Sequence, residues 1–166
     1  MSANRYFTES EWSEFRSNYC RLVELMRDEI KYDEIKALRK IVRSAIDAGS
    51  LLRDEHDINP LLRCITTATL LCDKVGADRD IIIAVFLSPL VEGGYMLLDD
   101  VSSLFGEDVV KLVKGLLKTN ELDSKQGAMS SEYFKNLLLV FADDIRVIFI
   151  IIVDCLCLMR MINNHP

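Results

Sequence analysis

Apolar residues return at steps of three or four positions through nearly the whole chain, the period that places side chains on one face of an α-helix. After Thr8 the returning residues are Phe15, Tyr19, Leu22 and Met26. Thr8 and Glu11 stand in the spacing of a capping box, which predicts where this first helix starts. A second helix is predicted from a cap at Asp33 to Gly49, with Ile35, Leu38, Ile41, Val42 and Ala45 on its inner face. The polar link SLLRDEHDINP follows. Asn59-Pro60 opens a third helix, closed by Gly76. The fourth, DRDIIIAVFLSPLVEGG, is apolar all round and should lie at the centre. Pro89 should stop or kink it near Ser88, because proline lacks an N–H and clashes with the preceding turn. Gly93-Gly94 then predicts a turn.

Further on, LLDDVSSLFGEDVVKLVKGLLKT predicts a short helix, a break at Gly106 and another helix. NELDSKQGAMS is the most polar stretch and is expected to be mobile. One or two helices close the chain from Ser131. The β-branched runs IIIAVF and VIFIIIV suit buried strands by composition, but no hairpin signal flanks them and their neighbours are helical. There is no internal repeat. The pattern predicts a single all-α domain.

Composition narrows the function classes. With 166 residues, 50% hydrophobic and 28% charged, the chain suits one globular domain. A net charge of −6 leaves no general basic footprint for nucleic acid. Lys36, Arg39, Lys40 and Arg43 on the second helix read as a solvated basic face. The N-terminus has no apolar leader, and the five cysteines are an odd number, which suggests reduced thiols and a cytoplasmic location. Cys155 and Cys157 are too closely spaced for a zinc knuckle and read as core residues. The apolar run from Val147 to Met159 would span about 20 Å as a helix, short of a bilayer's hydrocarbon, and reads as a core helix with no membrane contact. Asp154 sits inside that run. A buried acid costs several kcal/mol unless it is paired, hydrogen-bonded or bound to a metal.

Two segments carry a family resemblance. DRDIIIAVFLSPLVEGGYMLLDDVSSLFGEDVVKLVKGLLK resembles the centre of the hydrolase domain of the RelA/SpoT family of (p)ppGpp synthetase/hydrolases. SEYFKNLLLVFADDIRVIFIIIVDCLCLMRM resembles its later helix pair. The resemblance covers residues 33–166, and residues 1–32 read as a helical extension. It implies an all-α, HD-type helical bundle. It also implies one divalent metal, usually Mn2+, held by an early His, a His-Asp pair and a late Asp. In the family that metal activates the water that removes the 3′-diphosphate of guanosine tetraphosphate, and a Glu-Asp pair assists.

Carried over by residue, the His-Asp pair falls on Ser88-Pro89 and the late Asp on Asp154. The early His falls on Cys64, or alternatively on Asn59. The Glu-Asp pair falls on Glu92-Gly93, and the asparagine that contacts nucleotide falls on Leu158. Arg53 lies near the position of a family arginine that could hold guanine or phosphate. The only histidines, His56 and His165, stand elsewhere. One clear ligand of four survives, so the resemblance implies a degenerate site that needs no cofactor. Glu92 and Asp154 would be vestiges.

The expected function is therefore that of an N-terminal regulatory pseudo-hydrolase domain of a RelA-type GTP pyrophosphokinase in the stringent response. The expected partner is the parent's synthetase domain, which lies outside these residues. A guanine nucleotide is a further candidate ligand. The resemblance also implies the ribosome and uncharged tRNA as partners of the parent. The chain is expected to be an excised fragment, truncated within its last helices. A metal-dependent hydrolase with an atypical ligand set, and a helical protein-interaction adaptor, are the alternatives. Asp154 is expected to bond to Ser88, to a threonine of ITTAT or to water, and Asp154→Asn is expected to be tolerated.

Overall fold

Thr8 and Glu11 form the predicted reciprocal cap. Glu11 N–H donates to Thr8 Oγ1 at 3.2 Å, and Thr8 N–H donates to Glu11 Oε2 at 2.7 Å. They open α1 (Glu9–Leu25) in a computed structural model that describes residues 6–125 and 130–164. The described residues form seven further helices and no strand. These are α2 (Tyr32–Asp47), α3 (Pro60–Val75), α4 (Arg79–Glu92), α5 (Leu98–Phe105), α6 (Glu107–Lys125), α7 (Ser131–Asp143) and α8 (Arg146–Asn164).

Local chemistry sets most boundaries. Asn59 Oδ1 accepts from the N–H groups of Leu61 and Leu62, Pro60 fills the first helical position, and Gly76 ends α3 at φ 68°. Asp78 caps α4 by accepting from Ile81 N–H at 3.0 Å. Ser130 caps α7 through Tyr133 N–H at 3.1 Å.

Two boundaries differ from expectation. The second helix starts at Tyr32, because Glu34 reaches back to Lys31 N–H at 3.2 Å; Asp33 lies in the first turn, where its charge suits the helix dipole. α4 does not end near Ser88 but continues through Pro89 to Glu92. The carbonyl that Pro89 cannot bond, Val85 O, accepts instead from the Cys64 thiol at 3.5 Å. Residues 120–125 belong to α6, and the rest of the stretch expected to be mobile includes residues 126–129, outside the described ones. His165 is outside them too.

α4 is central, with every residue from Ile81 to Ser88 buried, and Leu90 with them. It packs against α2, α3, α5, α6 and α8. α1 lies on the other side of α3 and adds Leu22 to the same core. α8 lies across α3 and α6. Its approach to α6 needs Gly115, where an added Cβ would come within 2.7 Å of Val147 Cγ2. α8 runs beyond the apolar run that predicted it. At 19 residues it is long and apolar enough to cross a membrane by length and composition. One face, with Val147, Ile150, Val153 and Cys157, lies in the core; Phe149, Ile152 and Met159 are exposed.

Candidate functional site

The packing of α3 on α8 brings the acid of α8 to a base of α3. Arg63 is the one charged residue between Pro60 and Cys72, and Asp154 the one between Arg146 and Arg160. Arg63 Nε donates to Asp154 Oδ1 at 2.9 Å and Nη2 to Oδ2 at 2.5 Å. Thr67, one turn after Arg63, donates from Oγ1 to Asp154 Oδ1 at 3.2 Å. The side chains of the pair are 28% and 33% exposed, so most of each is out of water. Burial works against the Arg63 charge, but the bonds to Asp154 and its opposite charge outweigh it, and the guanidinium pKa lies above its ordinary value.

Arg63 was missed in the sequence reading, though a signal existed: two apolar helices each carry a lone charge of opposite sign. Thr67 belongs to the ITTAT stretch expected to hold the acid. Ser88 does not hold it; its hydroxyl donates to Ala84 O at 2.8 Å, within its own helix. The pairing with Arg63 argues against the expectation that Asp154→Asn is tolerated, because asparagine would remove the charge bonded to Arg63.

The other expected positions are committed to packing. Burial first, and then the nearby Asp154 charge, push the Cys64 thiol up to about 12, so it stays protonated at neutral pH. Pro89 carries no donor atom. Asn59, the other placement for the early ligand, is 1% exposed; its oxygen caps α3 and its Nδ2 donates to Tyr6 O at 2.9 Å. Manganese is held chiefly by ionised carboxylates, carbonyl oxygens and neutral imidazoles, and an acidic ligand binds it only when deprotonated. A protonated thiol, a hydroxyl bonded within its helix, a proline and a carboxylate held by a guanidinium do not fit it. Among the described residues no cluster of three or more His, Cys, Asp or Glu could hold a metal ion.

Glu92 is exposed at the end of α4 and accepts from Asn120 Nδ2 at 3.3 and 3.4 Å. Leu158 is partly buried on α8. His56 lies in the link before α3, near Glu55. Arg53 is fully engaged: it donates to both Glu11 carboxylate oxygens at 2.8 and 2.7 Å, to Asp57 O at 2.7 Å and to Tyr6 O at 3.3 Å. Burial opposes the Glu11 charge, yet these bonds and the Thr8 cap hold its carboxyl below the usual range. The segment leading into α1 therefore lies against both Arg53 and Asn59.

A family model described as "HD domain" matches residues 40–166. The chain is 34% identical over 100 residues to a Synechocystis sp. protein named "Probable guanosine-3′,5′-bis(diphosphate) 3′-pyrophosphohydrolase", covering 60% of this chain and 13% of that protein. It is 27% identical over 146 residues to the "Bifunctional (p)ppGpp synthase/hydrolase SpoT" of Escherichia coli (strain K12), covering 86% of this chain and 20% of that one. A "GTP pyrophosphokinase rsh" of Brucella ovis shares 33% identity over 101 residues, 60% of this chain and 13% of its own length. The chain thus corresponds to between 13% and 20% of these relatives.

Proposed function

Because the chain belongs to the HD domain family, we propose that it acts in (p)ppGpp metabolism as the N-terminal regulatory segment of a cytoplasmic GTP pyrophosphokinase and performs no metal-dependent hydrolysis itself. The similarity to SpoT and to the GTP pyrophosphokinase supports the pathway. The observation that carries the silent-site reading is the fate of the Ser88-Pro89 position. Its hydroxyl bonds within the helix and its neighbour has no donor. A partly buried thiol, pushed up to about 12, stands on the adjoining helix. No water-activating ion is accommodated by such groups, and the chemistry of the family's hydrolases depends on one.

On this reading the domain acts by packing. It takes up one of two arrangements against a synthetase domain and biases pyrophosphoryl transfer there, which needs differential contacts and no local chemistry. Arg53 is already occupied by Glu11, so a guanine nucleotide has to displace that contact to reach it.

Two measurements test this. Purified protein with MnCl2 and guanosine tetraphosphate should release no pyrophosphate above a protein-free control. Steady release that disappears in Asp154→Ala would overturn the silent reading. In the longer protein, removal of residues 1–166 should change the rate of (p)ppGpp synthesis several-fold; an unchanged rate would overturn the regulatory role.

A further inference from the structure

We infer that the Arg63 guanidinium is a built-in cation that has taken over the structural task of the family's metal ion, joining α3 to α8 at Asp154. This rests on reading Asp154 as the late carboxylate of a former metal site. It goes further by naming what now neutralises that acid.

The geometry carries the inference. The contact is side-on and bidentate, with Nε and Nη2 on separate carboxylate oxygens at 2.9 and 2.5 Å. This is the arrangement in which an arginine recognises a carboxylate most strongly. Thr67 supplies a third bond to the same group. Arg63 and Asp154 are 91 positions apart, so the pair closes a long-range contact. Each is the lone charge of its apolar stretch, and loss of one would remove the bonded counter-charge of the other. A divalent ion bound at either oxygen would stand beside a fixed positive charge. The two cations exclude each other, and the tethered one has no dissociation to undergo. A lysine would not do the same work, because an ammonium cannot reproduce the planar two-pronged contact.

The consequence is a fold whose stability does not depend on divalent ions. A bound ion stabilises by an amount that rises with its free concentration, whereas a covalently attached cation stabilises equally at every metal concentration. The test is a thermal-unfolding cycle on Arg63→Met, Asp154→Leu and the double variant, with wild type melted in MnCl2 and in EDTA. Each single change should lower Tm by about 4–8 °C, since each leaves a largely buried charge alone. The double variant should recover more than half of that loss, because both charges are gone. A single variant that fails to fold beside a folded double variant supports the coupling equally. Manganese and EDTA should leave the wild-type Tm unchanged. Additive losses in the double variant, or a rise in wild-type Tm with manganese alone, would overturn the inference. Pyrophosphate release that persists in Asp154→Leu, in a protein that still shows the coupling, would defeat the silent-site reading and leave this one standing. Additive losses in a protein without hydrolysis would do the reverse.

Discussion

Cys64 and Pro89 share one carbonyl: the thiol donates to Val85 O at 3.5 Å, the acceptor that an N–H at position 89 would otherwise take. The two positions that correspond to metal ligands by resemblance have thus become complementary parts of a helix contact. The proline leaves an acceptor in the core, and the cysteine on the next helix supplies a donor.

Removal of the thiol should therefore cost more with Pro89 present than without it. Cys64→Ala should destabilise by about 1–2 kcal/mol, the cost of an unmet buried carbonyl plus a small void. In a Pro89→Ala background the backbone N–H can return to Val85 O, and the penalty should shrink by about half. Urea denaturation of the four proteins checks this; equal penalties in both backgrounds would refute the shared acceptor.

The close approach of α6 to α8 makes a second prediction. A methyl at Gly115 would press on Val147 Cγ2 at 2.7 Å, and Val147 is fully buried. Gly115→Ala should cost about 1–3 kcal/mol despite its better helix propensity. Val147→Ala in the same protein should relieve part of the strain. Urea midpoints of the single and double variants measure both effects.

Thiol labelling at pH 8 should divide the five cysteines. Cys20 and Cys155 are exposed and should react in the native protein, Cys155 more slowly because burial pushes its thiol up. Cys72, pushed up to about 11 by burial, should lag behind them. Cys64, near 12, and the buried Cys157 should react only on unfolding. Mass spectrometry after timed alkylation resolves the order, and early labelling of Cys64 would contradict its bond to Val85 O.

Acid should unfold the protein through specific carboxylates. Hydrogen bonds from Arg79 hold Glu34 below its ordinary 4.5, and those from Arg146 hold Asp144 below its ordinary 3.8. Burial opposes the Glu11 charge, but Arg53 and the Thr8 cap outweigh it and hold it low as well. Carboxyls lowered on folding contribute stability that is complete above the unfolded value and is lost as pH falls through the folded one. Tm should be level above about pH 5 and fall progressively below it. In Glu34→Gln the fall should be shallower, from a lower plateau. An identical slope in the variant would show that Glu34 is not one of the groups involved.

Much of the architecture was legible in the order of residues. Most helices have a three-to-four-residue apolar period, α4 being apolar all round instead, and most have a capping residue or a glycine at the end. These signals act within a turn or two of the chain, so the sequence carries them directly. The Thr8–Glu11 box, the Asn59 cap and the break at Gly106 all formed where local chemistry places them. The all-α fold was legible for the same reason, while the HD-type resemblance rested on the likeness of two segments, 78–118 and 131–161, to a known family. The helix does not stop at Pro89, and the donor that meets the freed Val85 carbonyl lies on another helix.

The site itself was decided by the tertiary structure. The sequence determined that Asp154 stands alone in an apolar helix and so requires a partner. Which partner depended on the rotation of α8 about its axis and its crossing with α3, and neither is encoded within one helical turn. That packing set Arg63 and Thr67 against the carboxylate, Cys64 against Val85 O, and Glu11 against Arg53. A lone buried charge can be read from one segment, whereas its neutralisation takes two segments and the geometry between them.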